Sequence, residues 1–221
     1  MPEKIISAKG ESSVVWKNII QSKAELRELL GEPSELAQNK VIDRLDEHCR
    51  NFIAQSPFVL LGTSGISGRG DVSPRGDAPG FVKVVNEKHL VIPERPGNKR
   101  VDSLQNILEN PQVGLLFFIP GLGETLRING KAVILKDPEL LETMAVNKKV
   151  PLLGIGVEAE ECFIHCAKAF KRSQLWEPES WPEKAALPSA ARMIKAHADL
   201  EKMTEAELED RLQKGYEQKL Y

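Results

Sequence analysis

Strand-length apolar runs follow one another through the middle of this chain, and helical patterns lie on both sides of them. One short helical pattern interrupts the block, from Lys99 to Glu109, and closes at Asn110-Pro111. Strands in a block, with helices kept to the ends, are typical of α+β proteins. We therefore expect an α+β fold with a mainly antiparallel sheet or barrel. Its six predicted strands cover residues 57–63, 81–85, 89–92, 113–119, 125–135 and 152–166.

The helical patterns outside this block lie near both ends of the chain. One covers about 16–30, and a second runs from Ser34, a good N-cap, to about Gln55. A third fills 189–221, which is rich in Glu, Lys and Ala. Between the first two predicted strands, 64–80 is dense in glycine, proline, serine and aspartate, so we expect a loop there.

Charge, hydropathy and cysteine content exclude several classes of function. The 221 residues include 30 Lys+Arg and 32 Asp+Glu, a formal net charge of −2 at pH 7, which is not the composition of a nucleic-acid-binding domain. The longest apolar runs fall far short of the ~20 residues that a membrane span needs, and the N-terminus lacks the apolar core of a signal peptide. Three cysteines, Cys49, Cys162 and Cys166, fit a reducing compartment. We expect free thiols and a cytoplasmic protein that binds neither nucleic acid nor membrane.

Two motifs that often carry chemistry are better explained by structure. The run GTSGISGRG from Gly62 lacks the offsets of a dinucleotide fingerprint and the helix that must follow it, so it favours a loop. Cys162, His165 and Cys166 form C-x-x-H-C, but strand alternation places the cysteines on one face and the histidine on the other. We therefore predict no metal site.

The segment PERPGNKRVDSLQNIL gives the most specific indication of a ligand. We interpret Asn98 as a helix N-cap, which places Lys99 and Arg100 in the first turn, where the helix dipole disfavours cations by about 0.3 to 1 kcal/mol each. A bound phosphate would offset that cost, since it accepts bonds from free backbone N–H groups and from both cations. The alternative is that both side chains extend into solvent. Residues alone leave the two interpretations open.

Two further clusters combine cations with polar or aromatic side chains. One is Ser73-Pro74-Arg75-Gly76-Asp77, and the other is Lys171-Arg172-Ser173 followed by Trp176. Arginine can grip phosphate through its planar fork, and an exposed tryptophan can cover a flat ring. Each cluster is also consistent with a solvated face or a core aromatic.

The order of these segments resembles the pyridoxamine 5'-phosphate oxidase-like flavoproteins, the FMN-binding split-barrel superfamily. The matching segments are SPFVLLGTSG, SPRGDAPGFVKV, LVIPERPGNKRVDSLQNILENPQVGLLFFIPG, ETLRINGKA and CAKAFKRSQLWEP. The pattern is most similar to a bacterial subgroup of FMN-dependent proteins. The resemblance implies a six-stranded split β-barrel with flanking N- and C-terminal helices, and a homodimer with FMN at the subunit interface. The parts would be 1–55, a helical segment packed on the barrel; 56–178, the FMN-binding domain; and 179–221, a helical tail.

The resemblance also implies which residues contact FMN, the expected cofactor. The candidates for the phosphate or ribityl chain are Arg75, Asn98, Lys99, Arg100 and Ser103. The candidates for the ring are Phe81, Val82, Lys83 and Pro93, with Thr125 and Arg127 at its polar edge. Three more would close the pocket, from the partner subunit: Arg172, Ser173 and Trp176.

These expectations lead to an FMN-dependent oxidoreductase acting on an unknown small organic substrate, with NAD(P)H as the candidate electron donor. The flavin would carry the chemistry, and the catalytic side chains stay unknown. The runner-up is a non-catalytic protein that binds flavin, haem or a deazaflavin on the same scaffold. A third reading is a dimerisation module without cofactor, because fold does not fix function.

Local and family patterns disagree at Asn129-Gly130. This dipeptide is a strong hairpin signal, which would fold 125–135 back on itself. The family pattern instead has one long bent strand there. We favour the bent strand, with Gly130 at a bulge or a close backbone approach.

Overall fold

The structure, a computed structural model, describes residues 14, 16–200 and 202–221. They group into two units that divide after residue 40. The first unit contains helices α1 (Lys23–Leu30) and α2 (Glu35–Asn39). The predicted cap at Ser34 is confirmed, because its hydroxyl accepts a hydrogen bond from the N–H of Ala37 at 3.3 Å. A side-chain oxygen at this position satisfies one of the free N–H groups of the helix start.

The second unit is built on one antiparallel sheet of seven strands in the order β2-β1-β5-β6-β7-β4-β3. All of its strand pairs are antiparallel. The fold class predicted from the sequence, a mainly antiparallel α+β split-barrel type, is therefore confirmed, with an open sheet in place of a closed barrel. The strands are β1 (Phe58–Ser64), β2 (Gly70–Gly76), β3 (Lys83–Val84), β4 (His89–Pro93), β5 (Gln112–Phe118), β6 (Thr125–Leu135) and β7 (Gly154–His165).

The seventh strand, β2, lies where the sequence predicted a loop. It pairs with β1 from Gly70 to Gly76 and occupies one edge of the sheet. Pro74 and the glycines argue against a central strand, but an edge strand tolerates proline because its outer N–H groups need no partner. The glycine, proline, serine and aspartate residues of this segment therefore led to a wrong loop prediction for a strand that contributes much of the candidate site.

Helices cover the sheet and enclose its core. Cys49 and Ile53 on α3 (Glu47–Gln55), and Leu104 and Ile107 on α4 (Asp102–Glu109), belong to one buried cluster with the strands. Burying such side chains contributes about 1.5 to 3 kcal/mol each. The remaining α-helices of the described residues are α5 (Pro138–Glu142), α6 (Lys168–Ser173), α7 (Ala190–His197) and α8 (Glu205–Gln218), with short 3-10 helices at Pro178–Ser180 and Lys184–Ala186.

Two long helices predicted from periodicity are each divided in the structure. The stretch from Ser34 to Gln55 forms α2 and α3, because the carboxylate of Asp46 accepts the N–H of Cys49 at 2.8 Å and starts a new helix. The tail forms α7 and α8, and Thr204 and Glu207 start α8 with a capping box. Local capping residues therefore divide two stretches that apolar periodicity alone predicted to be single helices.

The bent strand predicted across Asn129-Gly130 is confirmed. Strand β6 runs unbroken through both residues, and its pairing with β7 shifts there: Asn129 faces Glu161, whereas Gly130 faces Ala159. The extra residue, Glu160, lies in β7. A Cβ at Gly130 would overlap the carbonyl oxygen of Glu158, so the approach of the two backbones requires glycine.

All three cysteines are free thiols, as predicted. Cys49 and Cys162 are buried, and Cys166 is exposed. The neighbouring thiol of Cys162, burial and the carboxylate of Asp46 raise the pKa of Cys49. Cys49 is therefore a protonated core residue. Among the described residues no helix has the length and apolarity to span a membrane, and no group of three or more His, Cys, Asp or Glu side chains could hold a metal ion.

Candidate functional site

A cavity of about 770 Å³ opens beside the edge strand β2. Its walls come from β2, Phe81, the end of β4 with the segment 94–101 that follows it, the first turn of α4, the segment 149–153 and Tyr221. Ligand pockets typically measure about 300 to 1,000 Å³. The cavity therefore has the size of a cofactor site.

The lining combines polar and apolar side chains. Its cationic members are Arg75, Arg95, Lys99, Arg100 and Lys149, against three carboxylates, Asp71, Glu94 and Asp102. Its apolar members include Phe81, Pro93, Pro151, Leu152 and Leu153. A ligand with an anionic group and a flat apolar body would find partners of both kinds.

Strand β2 contributes the polar network of this cavity. Asp71, Ser73 and Arg75 alternate along the strand, so all three project from one face. Ser73 and Ser103, at the start of α4, share a hydrogen bond of 3.0 Å, and Ser103 donates to Asp71 at 3.1 Å. Arg75 donates to Ser73 at 3.3 Å and pairs with Glu94. The network fixes two hydroxyls and a guanidinium at the cavity wall.

The predicted N-cap at Asn98 is wrong, because α4 begins at Asp102. The side-chain oxygen of Asn98 accepts the N–H of Arg100 at 3.0 Å, two residues on, which makes a turn of its own. Lys99 and Arg100 consequently precede the helix. Val101 occupies the cap position, where no side chain satisfies the first N–H groups. Helix α4 therefore presents an uncapped, electropositive end to the cavity.

The backbone before α4 is strained. Lys99 has φ of 62° and Val101 has φ of 54°, both in the left-handed region. Side chains rarely adopt this region, and a β-branched valine there is an outlier. Such residues cost about 1 to 3 kcal/mol each and concentrate at ligand clamps. The turn therefore stores backbone strain beside the cavity.

Lys99 differs from the other cations of the cavity. Arg100 pairs with Asp102 at 2.8 Å, and this hydrogen bond raises the pKa of the guanidinium. Arg75 and Arg95 pair with Glu94 and Asp77. Lys99 forms no hydrogen bond or ion pair with another residue that the structure describes. Its ammonium group is therefore available to an anionic ligand.

A buried carboxylate anchors the C-terminal segment to the cavity. The side chain of Asp77 is only 2% exposed; it accepts bonds from Arg95 Nε at 2.7 Å and from the Tyr221 phenol at 2.7 Å. Burial raises the pKa of Asp77, but the hydrogen bonds from Tyr221 and Ala78 and the charge of Arg95 outweigh it, so the pKa lies below its ordinary value. The bond to Asp77 raises the pKa of Tyr221. Asp77 is thus ionised at neutral pH.

The lowered pKa of Asp77 predicts an acid-sensitive anchor. Its stabilising contribution is present above the pKa of an unfolded aspartate, about 3.9, and is lost as pH falls through the lower native value. We expect the stability difference between the parent protein and Asp77→Asn to shrink as pH falls below about 4, as measured by urea unfolding. Exposed Asp199→Asn is the matched control. A difference that stays constant from pH 6 to pH 2 would contradict the assignment.

The structure brings half of the predicted site residues together at this cavity: Arg75, Phe81, Pro93, Asn98, Lys99, Arg100 and Ser103. Sequence reasoning missed five polar lining residues: Asp71, Glu94, Arg95, Lys149 and Tyr221. It named the cluster that contains Asp77 but not the role of this carboxylate as an anchor. The alternation of Asp71, Ser73 and Arg75 was a usable signal, but the loop prediction for this segment hid it.

The other seven predicted residues lie away from this cavity within one chain. Val82 is buried in the core, and Lys83 donates to Thr143 at 2.7 Å. On β6, Thr125 is buried, and Arg127 lies over the Phe163 ring at 5.4 Å. The remaining three are on α6 or just after it: Arg172, Ser173, and Trp176, which donates to the carbonyl of Leu122 at 2.9 Å.

Residues 45–166 match the family model described as pyridoxamine 5'-phosphate oxidase. The matched region is more than half of the chain and includes all seven strands. The chain belongs to the pyridoxamine 5'-phosphate oxidase family. Membership confirms the resemblance inferred from the sequence segments, and most of the cavity wall falls within the matched region.

Solved structures of low identity are also similar to the chain. HupZ of Group A Streptococcus is 14% identical, covering 54% of this chain and 92% of that chain, with a TM-score of 0.43. A protein related to general stress protein 26, of the pyridoxinephosphate oxidase family, from Clostridium acetobutylicum is 16% identical over 53% and 85%, with a TM-score of 0.40. An FMN-binding protein from Syntrophomonas wolfei is 10% identical over 53% and 81%, with a TM-score of 0.41. No curated protein matches the chain.

Proposed function

We propose that this protein is an FMN-dependent oxidoreductase acting on a small organic substrate, with the cofactor phosphate bound at the start of α4. The observation that carries the proposal is the pairing of an unpartnered Lys99 with an uncapped helix N-terminus in a cofactor-sized cavity. Family membership supports the same conclusion.

A phosphate group fits the chemistry of the strained turn. The free N–H groups of α4 and the ammonium of Lys99 would donate to its oxygens, and the hydroxyls of Ser73 and Ser103 lie beside them on the same wall. The nearby carboxylates repel an anion, but Arg75 and Arg100 neutralise two of them. The residues therefore fit a phosphate, and Lys99 is the cation there whose charge no ion pair with a described residue occupies.

The flavin ring would lie against apolar residues of the lining. Phe81 and Pro93 provide such surface beside the polar network. When bound, FMN supplies hydride acceptance at its N5 atom. The chain's own residues bind the phosphate, orient the ring and limit access of water. Among the described residues, the lining contains no histidine, cysteine or methionine, and the phenol of Tyr221 is already bonded to Asp77. This favours a flavin over haem, because haem needs an axial ligand.

We also propose a homodimer. Thr125, Arg127 and the three residues Arg172, Ser173 and Trp176 do not line the cavity of their own chain. By the family resemblance, Thr125 and Arg127 reach the polar edge of the flavin ring, and the other three close its pocket. We therefore propose that they act on the site of a second copy. We retain the cytoplasm as the proposed location, since the three free thiols suit a reducing compartment.

Titration with flavins tests this function. We expect purified protein to bind FMN with perturbed visible absorption bands, and to bind riboflavin at least about tenfold more weakly, because riboflavin lacks the charge-assisted phosphate contacts. Absence of FMN binding at millimolar FMN concentration would contradict the proposal.

A second measurement separates an enzyme from a storage protein. The FMN-loaded protein is mixed with NADH or NADPH without oxygen, and bleaching of the flavin band is followed. Rapid bleaching supports the oxidoreductase. Bound FMN that neither donor reduces would favour the non-catalytic alternative, in which the scaffold holds a flavin or deazaflavin.

A further inference from the structure

Tyr221 reaches the candidate cofactor cavity from the far end of the sequence. It follows α8 and lines the cavity together with Arg95 and Lys149. Its phenol donates to Asp77, which lies 144 positions earlier in the chain. The tail is thus part of the wall of the site, although nothing in its own sequence indicates a binding role.

Three contacts hold Tyr221 in place. Its phenol bonds to the buried carboxylate of Asp77, and Lys149 donates to its main-chain oxygen at 2.6 Å. The guanidinium of Arg95, itself bonded to Asp77, lies over the tyrosine ring at 5.6 Å from its centroid. Hydrogen bonds to an ionised and desolvated group are stronger than neutral ones in water. The position of the ring is therefore fixed. This suits a permanent part of the cavity wall better than a side chain that must move away before a ligand can enter.

The cavity lining contains apolar side chains besides the ring of Tyr221. Pro93, Pro151 and Leu153 share the lining with it, and all three are apolar. The two cations beside Tyr221 are engaged, since Arg95 bonds to Asp77 and Lys149 to the main-chain oxygen of Tyr221. The cations that suit a phosphate belong to the turn before α4 and to β2. A flat conjugated ring gains most from an aromatic and apolar wall, since aromatic pairs contribute beyond the area they bury.

We propose that Tyr221 is a positioning residue of the cofactor site, which holds the isoalloxazine ring of bound flavin through its aromatic side chain. The inference rests on the proposed FMN function and extends it to the C-terminal segment. Asp77, Arg95 and Lys149 act through Tyr221 by fixing its ring at the cavity. The tail thereby determines affinity for the ring, independently of the phosphate.

Two flavins and three variants test this role. We expect Tyr221→Ala to lower the affinities for FMN and for riboflavin by the same factor, roughly 3- to 10-fold, because both ligands contain the isoalloxazine ring. Tyr221→Phe keeps an aromatic wall but loses the bond to Asp77, so we expect a smaller loss. Tyr216→Ala, at an exposed tyrosine of α8, is the matched control and should change neither affinity.

Fluorescence of the bound flavin gives a readout that a purely structural role would not move. A phenol ring in contact with a flavin quenches its emission by electron transfer, whereas phenylalanine does not. Flavin bound to Tyr221→Phe should therefore be brighter than flavin bound to the parent protein. Equal brightness, or unchanged affinity of Tyr221→Ala, would overturn the inference while leaving the FMN function intact.

Other outcomes are equally decisive. If Tyr221→Ala binds flavin more tightly than the parent protein, the tail competes with the ligand and the inference is wrong. If the parent protein binds neither FMN nor riboflavin, the proposed function fails, and the inference fails with it.

Discussion

Replacing Gly130 with alanine should destabilise the protein by about 3 kcal/mol or more, one of the largest effects expected for a single added methyl group. The new Cβ would overlap the carbonyl oxygen of Glu158 and lie close to the Cα of Ala159. Both obstacles are backbone atoms of β7, so no rotation of a side chain can relieve them. Urea unfolding followed by circular dichroism measures the effect, and the midpoint should fall with little change in slope.

Gly114→Ala is the matched control for this prediction. Gly114 lies on β5 directly opposite Asn129, one residue from Gly130 along β6. A Cβ there would meet the side-chain oxygen of Asn129 at 3.5 Å, an ordinary van der Waals contact. We expect a change below about 1 kcal/mol. Equal losses in the two variants would mean that glycine is needed in this sheet for a reason other than the bulge.

The sheet could be predicted from the sequence wherever its residues alternate or form compact apolar runs. Strands β5 and β6 lie within a residue of the predicted runs. The same reasoning failed for β2, because Pro74 is compatible with a strand only at a sheet edge, and edge position depends on how all strands pair. The bulge at Gly130 needed the family pattern, since the local signal alone favoured a hairpin.

The candidate site could also be predicted from the sequence only in part. Arg75, Lys99 and Arg100, which the resemblance names as phosphate or ribityl candidates, line the cavity. The error at Asn98 has a local cause, because an asparagine side chain can bond either to a helix N–H or to the backbone two residues on. The contact between Asp77 and Tyr221 could not be predicted, because no local pattern connects residues so far apart.

Replacing both Lys99 and Arg100 with alanine should lower FMN affinity by at least about tenfold and leave riboflavin affinity unchanged. Each charge-assisted contact to a phosphate contributes about 1.5 to 3 kcal/mol, and roughly 1.4 kcal/mol is a factor of ten. Isothermal titration at physiological salt measures both ligands. Folding stability should change by less than about 1 kcal/mol, since the exposed pair between Arg100 and Asp102 is weak.

The single variants distinguish the two cations. Lys99→Ala should cause most of the loss, because its ammonium has no partner among the described residues, whereas Arg100 must first give up part of its bond with Asp102. Arg50→Ala combined with Lys136→Ala removes the same net charge from exposed positions outside the cavity and is the control. Equal losses for FMN and riboflavin would show that the strained turn supports the fold of the cavity and does not bind phosphate. If Arg100→Ala lowers FMN affinity more than Lys99→Ala does, the phosphate binds nearer to Arg100 and Asp102 than to the ammonium of Lys99, and the assignment is wrong.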